Sequence, residues 1–89
     1  MKLDRRKLKQ VKGISFEDYV RACAHLAQGF SEQEIINILG VNKSVWDEAL
    51  KIWNERLCKL IASDPAVGVL YGQIYFNPKI GKFLRLWRV

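Results

Sequence analysis

Residues 30–50, FSEQEIINILGVNKSVWDEAL, read as a complete, punctuated structural unit: two helices joined by a tight turn. Ser31 is placed to cap the first helix, and Glu34, three residues on, can reach back to the Ser31 amide in the reciprocal arrangement of a capping box. Phe30 and Ile35 hold the positions of a hydrophobic staple. Gly40 supplies the left-handed residue that ends the first helix, and Asn42 can cap the second. The local chemistry therefore predicts a helix over Glu32 to Leu39 and a longer one starting near Lys43.

Working outward, the third helix continues to about Ile61. Trp46, Leu50, Trp53, Leu57 and Leu60 recur at nearly heptad spacing, with Ala49 and Ile61 alongside, which makes it the expected spine of the core. Upstream, Ser15 and Asp18 form a second capping-box signal for a helix from about Phe16 to Gln28. Its apolar face comprises Phe16, Tyr19, Val20, Cys23, Ala24, Leu26 and Ala27, and Gly29 closes it. Downstream, Ser63, Asp64 and Pro65 mark a stop and a restart, since proline suits the first position of a helix and aspartate caps it. The segment AVGVLYGQIYF that follows would also suit a strand by composition. A helix is favoured by the cap and by the lack of any partner strand. On that helix Val67, Leu70, Tyr71 and Ile74 form the packing face, while Gly68 and Gly72 fall at i and i+4 and would let another backbone approach.

These elements predict an all-α fold, a small bundle of about four helices, in one domain spanning residues 14–77. A basic arm, residues 1–13, precedes it, and a basic and aromatic tail, residues 78–89, follows. The net charge of +6 over 89 residues is unevenly spread. Residues 1–12 carry +5 and residues 78–89 carry +4, leaving −3 on the segment between. The arm reads as a solvated tail or as a contact for an anionic partner. In the tail, Lys82, Arg85 and Arg88 alternate with Phe83, Leu84, Leu86, Trp87 and Val89. That much apolar surface calls for docking on the chain's own core, on a partner chain or on a membrane surface.

The composition also bounds function. No apolar run approaches the roughly 18 residues of a membrane span, and the charged start lacks the apolar stretch of a signal peptide, so the chain reads as cytoplasmic. Cys23 and Cys58 are too few and too isolated for a disulfide framework or a zinc site and read as reduced thiols, Cys23 on an apolar face and inert. His25, the only histidine, reads as a partly exposed structural residue near a helix end. There is no phosphate-binding glycine loop, no nucleophile elbow and no pair of metal ligands, so catalytic residues, metal ions and cofactors are not expected.

Residues 34–50 resemble the helix-turn-helix of bacterial DNA-binding regulators, an E-I-x-x-x-L-G-V-S-x-S-T-V run. Glu34, Ile35, Leu39, Gly40, Val41 and Ser44 match, whereas Ile36, Asn42 and Trp46 depart from it. The chain is also similar to a family of small bacterial helical domains without assigned function, through the L-G-V turn followed by W-D-E (Trp46 to Glu48), the W-N-x-R step (Trp53 to Arg56) and a closing G-K-F (Gly81 to Phe83). The first resemblance implies DNA contact, for which Arg5, Arg6, Lys7, Lys9, Asn42, Lys43, Ser44 and Lys51 are the candidate residues. Asp47 and Glu48 oppose it, because they would face phosphates. The preferred expectation is a noncatalytic module that binds a protein partner or itself, with Lys82, Phe83, Arg85, Trp87 and Arg88 of the tail as candidate contacts. Nucleic acid is the alternative partner, and a membrane surface is the least favoured.

Overall fold

The computed structural model describes residues 10–78, 81, 83 and 84 of the chain. Four helices follow in order: α1 (Phe16–Ala27), α2 (Glu32–Leu39), α3 (Lys43–Ser63) and α4 (Pro65–Tyr75). Each begins where its cap lies. Ser15 and Ser31 both close full capping boxes, with Asp18 and Glu34 as their partners. Asn42 Oδ1 accepts from the Val45 amide at 2.9 Å, and Asp64 Oδ1 from the Ala66 amide at 3.1 Å. Caps of this kind contribute about 1 kcal/mol each. Gly40, at φ 70°, ends α2 in the left-handed region that a side chain would disfavour.

The segment 65–75 is helical, as its cap signal requires. Asp64 both terminates α3, through its amide to the Leu60 carbonyl, and caps α4, so the two helices meet at one residue.

The core is organised on Trp53, which is fully buried at the middle of α3. Phe16 of α1 meets its ring edge-on at 5.6 Å, and Tyr19 stacks on it at 5.8 Å. The Tyr19 hydroxyl donates to Asn54 Oδ1 on α3, next to Trp53. The indole N–H of Trp53 donates to the Ile14 carbonyl at 3.1 Å, within the buried interior. Ile14 and Val11 pair backbone to backbone across a two-residue turn, with Lys12 at φ 52° and Gly13 at φ 82°, the positive values that a tight hairpin turn needs. Val11, expected in the solvated arm, is thus only 6% exposed and belongs to the core, and Lys12 reaches Glu48 of α3 at 2.8 Å.

The spine residues behave as their spacing predicts, with Trp46, Ala49, Trp53 and Leu60 buried and Leu50 and Leu57 half-buried. Ile61 departs from the expectation and is 41% exposed, because it sits on the side of α3 beside Gly68, where α4 has no side chain to cover it. Among the described residues, no helix is long and apolar enough to cross a membrane.

The last described residues pack on α1. His25, expected to be partly exposed, is fully buried: Phe83 stacks on its ring at 4.6 Å and Phe30 meets it edge-on at 5.2 Å. Its Nδ1–H donates to the Arg21 carbonyl one turn earlier, at 2.7 Å. Gly81 lies under the Arg21 guanidinium, so close that a methyl group there would stand 2.6 Å from a terminal nitrogen of Arg21, and its φ of 65° is again left-handed. Arg21 and His25, at i and i+4 of one helix, together seat this segment.

Two consequences can be measured. Trp53→Phe removes a buried donor and part of a buried ring, and it should cost about 2–3 kcal/mol, read as a lower urea midpoint with an unchanged slope. Gly81→Ala should cost at least the roughly 1–2 kcal/mol of a left-handed alanine. Because the Arg21 contact is local, the loss should appear as faster amide exchange at the C-terminal end before any change in helical circular dichroism.

Candidate protein-interaction surface

Three groups of residues compete as the functional surface, and the structure treats them differently. On the front of α3, Asn42 is committed to its cap, and Lys43 is held by Glu32 at 2.9 Å and Asp47 at 3.3 Å. The hydrogen bond to Glu32 and then that to Asp47 raise the ammonium above the ordinary lysine value. Ser44 and Lys51 are exposed on this face, alongside Asp47 and Glu48. The cation best placed to meet phosphate is therefore already paired with carboxylates of its own chain. Arg5, Arg6, Lys7 and Lys9 lie outside the described residues.

In the tail, Phe83 is fully buried against His25, so the residue expected to meet a partner fills the chain's own core instead. The physical reason is shape: α1 ends beside Gly29, leaving the His25 ring bounded on one side by Phe30 and open on the other to a second ring. Leu84 next to it is 40% exposed. Lys82, Arg85, Trp87 and Arg88 lie outside the described residues.

The third group was not singled out as a site by sequence. Residues 65–78 carry no charged side chain, in a chain where 27% of residues are charged. Val67 and Ile74 are buried, and Leu70 and Tyr71 half-buried, which accounts for one side of α4. The opposite side is apolar too: Val69 is 62% exposed and Phe76 86%, separated by seven residues and hence on one stripe. Pro65 and the uncharged Gln73 complete that exposed side, and Gly68 and Gly72 border it. A helix that is apolar on every side is ordinarily enclosed. The signal that could have revealed this surface was the charge-free run itself, which is longer than the packing face of one helix requires.

Beneath α4, Tyr19, Cys23 and Tyr71 form a cluster of titratable groups between α1 and α4. Burial is the main cause in each case, and it pushes the Tyr19 and Tyr71 phenols and the Cys23 thiol above their ordinary values. A protonated thiol is a poor nucleophile, in keeping with Cys23 as a packing residue. Among the described residues, no group of three or more histidine, cysteine, aspartate or glutamate side chains could hold a metal ion. A shallow, open depression lies at the α1–α2 corner, lined by Gln28, Gly29, Phe30 and Glu34. Its one carboxylate, Glu34, is engaged in the Ser31 cap.

A family model described as a family of unknown function (DUF6620) matches residues 4–80. The chain belongs to this family. The match agrees with the resemblance drawn above at the level of an uncharacterised small helical domain. No curated protein and no solved structure matches the chain.

The buried cluster gives a pH test. The folded values of Cys23, Tyr19 and Tyr71 are raised, so their contribution to stability is complete below the unfolded values, about 8.5 for a thiol and 10 for a phenol, and is lost as pH rises through the folded ones. Thermal midpoints should hold near neutrality and fall from about pH 8.5 upward. Tyr19→Phe should make the decline above about pH 10 shallower.

Proposed function

We propose that this chain is a noncatalytic binding module that engages a protein through the exposed side of α4. The observation that carries the reading is the 86% exposure of Phe76, on a helix face with no charged residue. Large aromatic side chains dominate contact energetics when they enter a pocket, and an apolar stripe bordered by glycines suits close packing against another helix or sheet. This relocates the contact from the tail residues to Val69, Gln73 and Phe76. Lys82, Arg85, Trp87 and Arg88 remain candidates for a flanking, charge-dependent contribution.

DNA recognition through α3 is the competing reading. The pairing of Lys43 with Glu32 and Asp47, beside Glu48, counts against it, because each carboxylate adds repulsion where phosphates would lie. The basic arm and tail could add phosphate contacts, but these carry no sequence information.

Affinity capture with the full chain, compared with Val69→Ser/Phe76→Ser, decides between them. Both substitutions are exposed and should change stability by no more than about 0.5 kcal/mol. A protein retained after nuclease treatment and lost with the double variant is the expected result. Tight, sequence-dependent binding to duplex DNA in mobility shifts, unaffected by the double variant, would replace this reading with the DNA one.

A further inference from the structure

We infer that the protein engaged by the exposed face of α4 is a second copy of this chain, paired antiparallel about a two-fold axis passing at Gly72. The inference rests on the reading of α4 as a binding surface and names its partner.

Three features favour self-pairing. First, a face paired with its own copy meets a surface of the same net charge, so a face with an excess of one sign repels itself. The α4 face escapes this cost, since residues 65–78 are uncharged, and it equally offers nothing to select an oppositely charged partner.

Second, the face carries both halves of a fit. Gly68, Gly72 and Phe76 form one i, i+4 row. A two-fold axis at Gly72 sets the residue four positions after it opposite the residue four positions before it in the other copy. When two helices cross with these rows aligned, at an inclination of about 50°, Phe76 of each copy is directed at Gly68 of the other. Phe76 is the most exposed large apolar side chain described, and Gly68 is a gap where a side chain is missing. The side of that gap is apolar: Ile61 Cγ2 lies 3.8 Å from where a Gly68 Cβ would stand, and Ile61 is itself 41% exposed. The ring of one copy would thus cover the isoleucine that its own α4 leaves bare.

Third, the crossing point is open. Among the described residues, no atom outside the adjoining stretch of α4 lies within 4 Å of where a Gly72 Cβ would stand, so none of them uses the close approach that Gly72 permits.

The extent of the face sets the strength. Its 11 residues make a helix about 16 Å long. The area covered falls below the roughly 800 Å² per partner of a standard stable complex. Small interfaces are typical of weak, transient complexes, so reversible association is expected, with a dissociation constant on the order of 100 μM.

Sedimentation of the full chain from about 10 μM to about 1 mM tests this, the range following from that affinity. The weight-average mass should climb from 10.3 kDa toward twice that value. Phe76→Ala, which removes the knob, and Gly68→Leu, which fills the gap, should each weaken association at least about tenfold, with unchanged helical circular dichroism. In a Cys58→Ser background, Gly72→Cys should give a disulfide-linked dimer with diamide, because the two thiols would meet on the axis. Val69→Cys should give far less. A mass constant at 10.3 kDa to the highest concentration overturns the inference, as does association unaffected by both Phe76→Ala and Gly68→Leu. If the chain stays monomeric while Val69→Ser/Phe76→Ser still loses a captured protein, self-pairing falls and the binding-module reading stands. If neither is seen, both fall.

Discussion

The hydrogen bond from the Trp53 indole to the Ile14 carbonyl sets the arrangement of everything around it. An indole N–H is a donor with no acceptor capacity, and buried without a partner it would cost on the order of 1–3 kcal/mol. Satisfying it fixes the start of the folded chain against the centre of α3. Phe16 and Tyr19 then follow from the Ser15 cap one turn into α1, and both land on the same indole ring. The Tyr19 hydroxyl in turn requires an acceptor, which Asn54 supplies next to Trp53. One residue of α3 and its neighbour thereby determine where α1 lies, and α1 carries the seat for α4 and the final segment.

That seat works by complementary absences. Gly81 lacks the side chain that would collide with Arg21, and Phe83 supplies the ring that His25 leaves room for. Arg21 Nε is buried there with no hydrogen-bond partner among the described residues, a cost offset by the packing of the guanidinium on the glycine backbone. Gly81 and Phe83 are accordingly part of the folded body, although the basic and apolar composition around them reads as a tail.

What was legible in the sequence and what was not divide along range. The caps at Ser15, Ser31, Asn42 and Asp64 could all be read, because each is a hydrogen bond spanning two or three residues and depends on nothing farther away. The apolar spacing of α1 and α3 was legible for the same reason. The burial of His25 was not, since it follows from Phe83 at the other end of the chain, and neither was the core position of Val11, which depends on positive φ at Lys12. A lysine is an unusual occupant of that conformation, and no local pattern signals it. The candidate surface is half legible: spacing alone marks Val67, Leu70, Tyr71 and Ile74 as the packing face of α4, and Gly68 and Gly72 as small residues one turn apart. Its reverse is not legible, because the exposure of Val69, Phe76 and Ile61 depends on which side of α4 the other helices cover, and that emerges only when α3 and α4 lie side by side.

The corner at Asp64 bears on how α4 presents itself. With one residue serving as the end of α3 and the cap of α4, no loop separates the two helices, and their mutual angle has little freedom to vary. Association with any partner then requires little ordering of backbone, so the entropy lost on binding is largely that of the partner and of the Phe76 rotamer. A surface of modest area, held rigid in this way, can convert more of its contact energy into affinity than the same residues on a mobile loop.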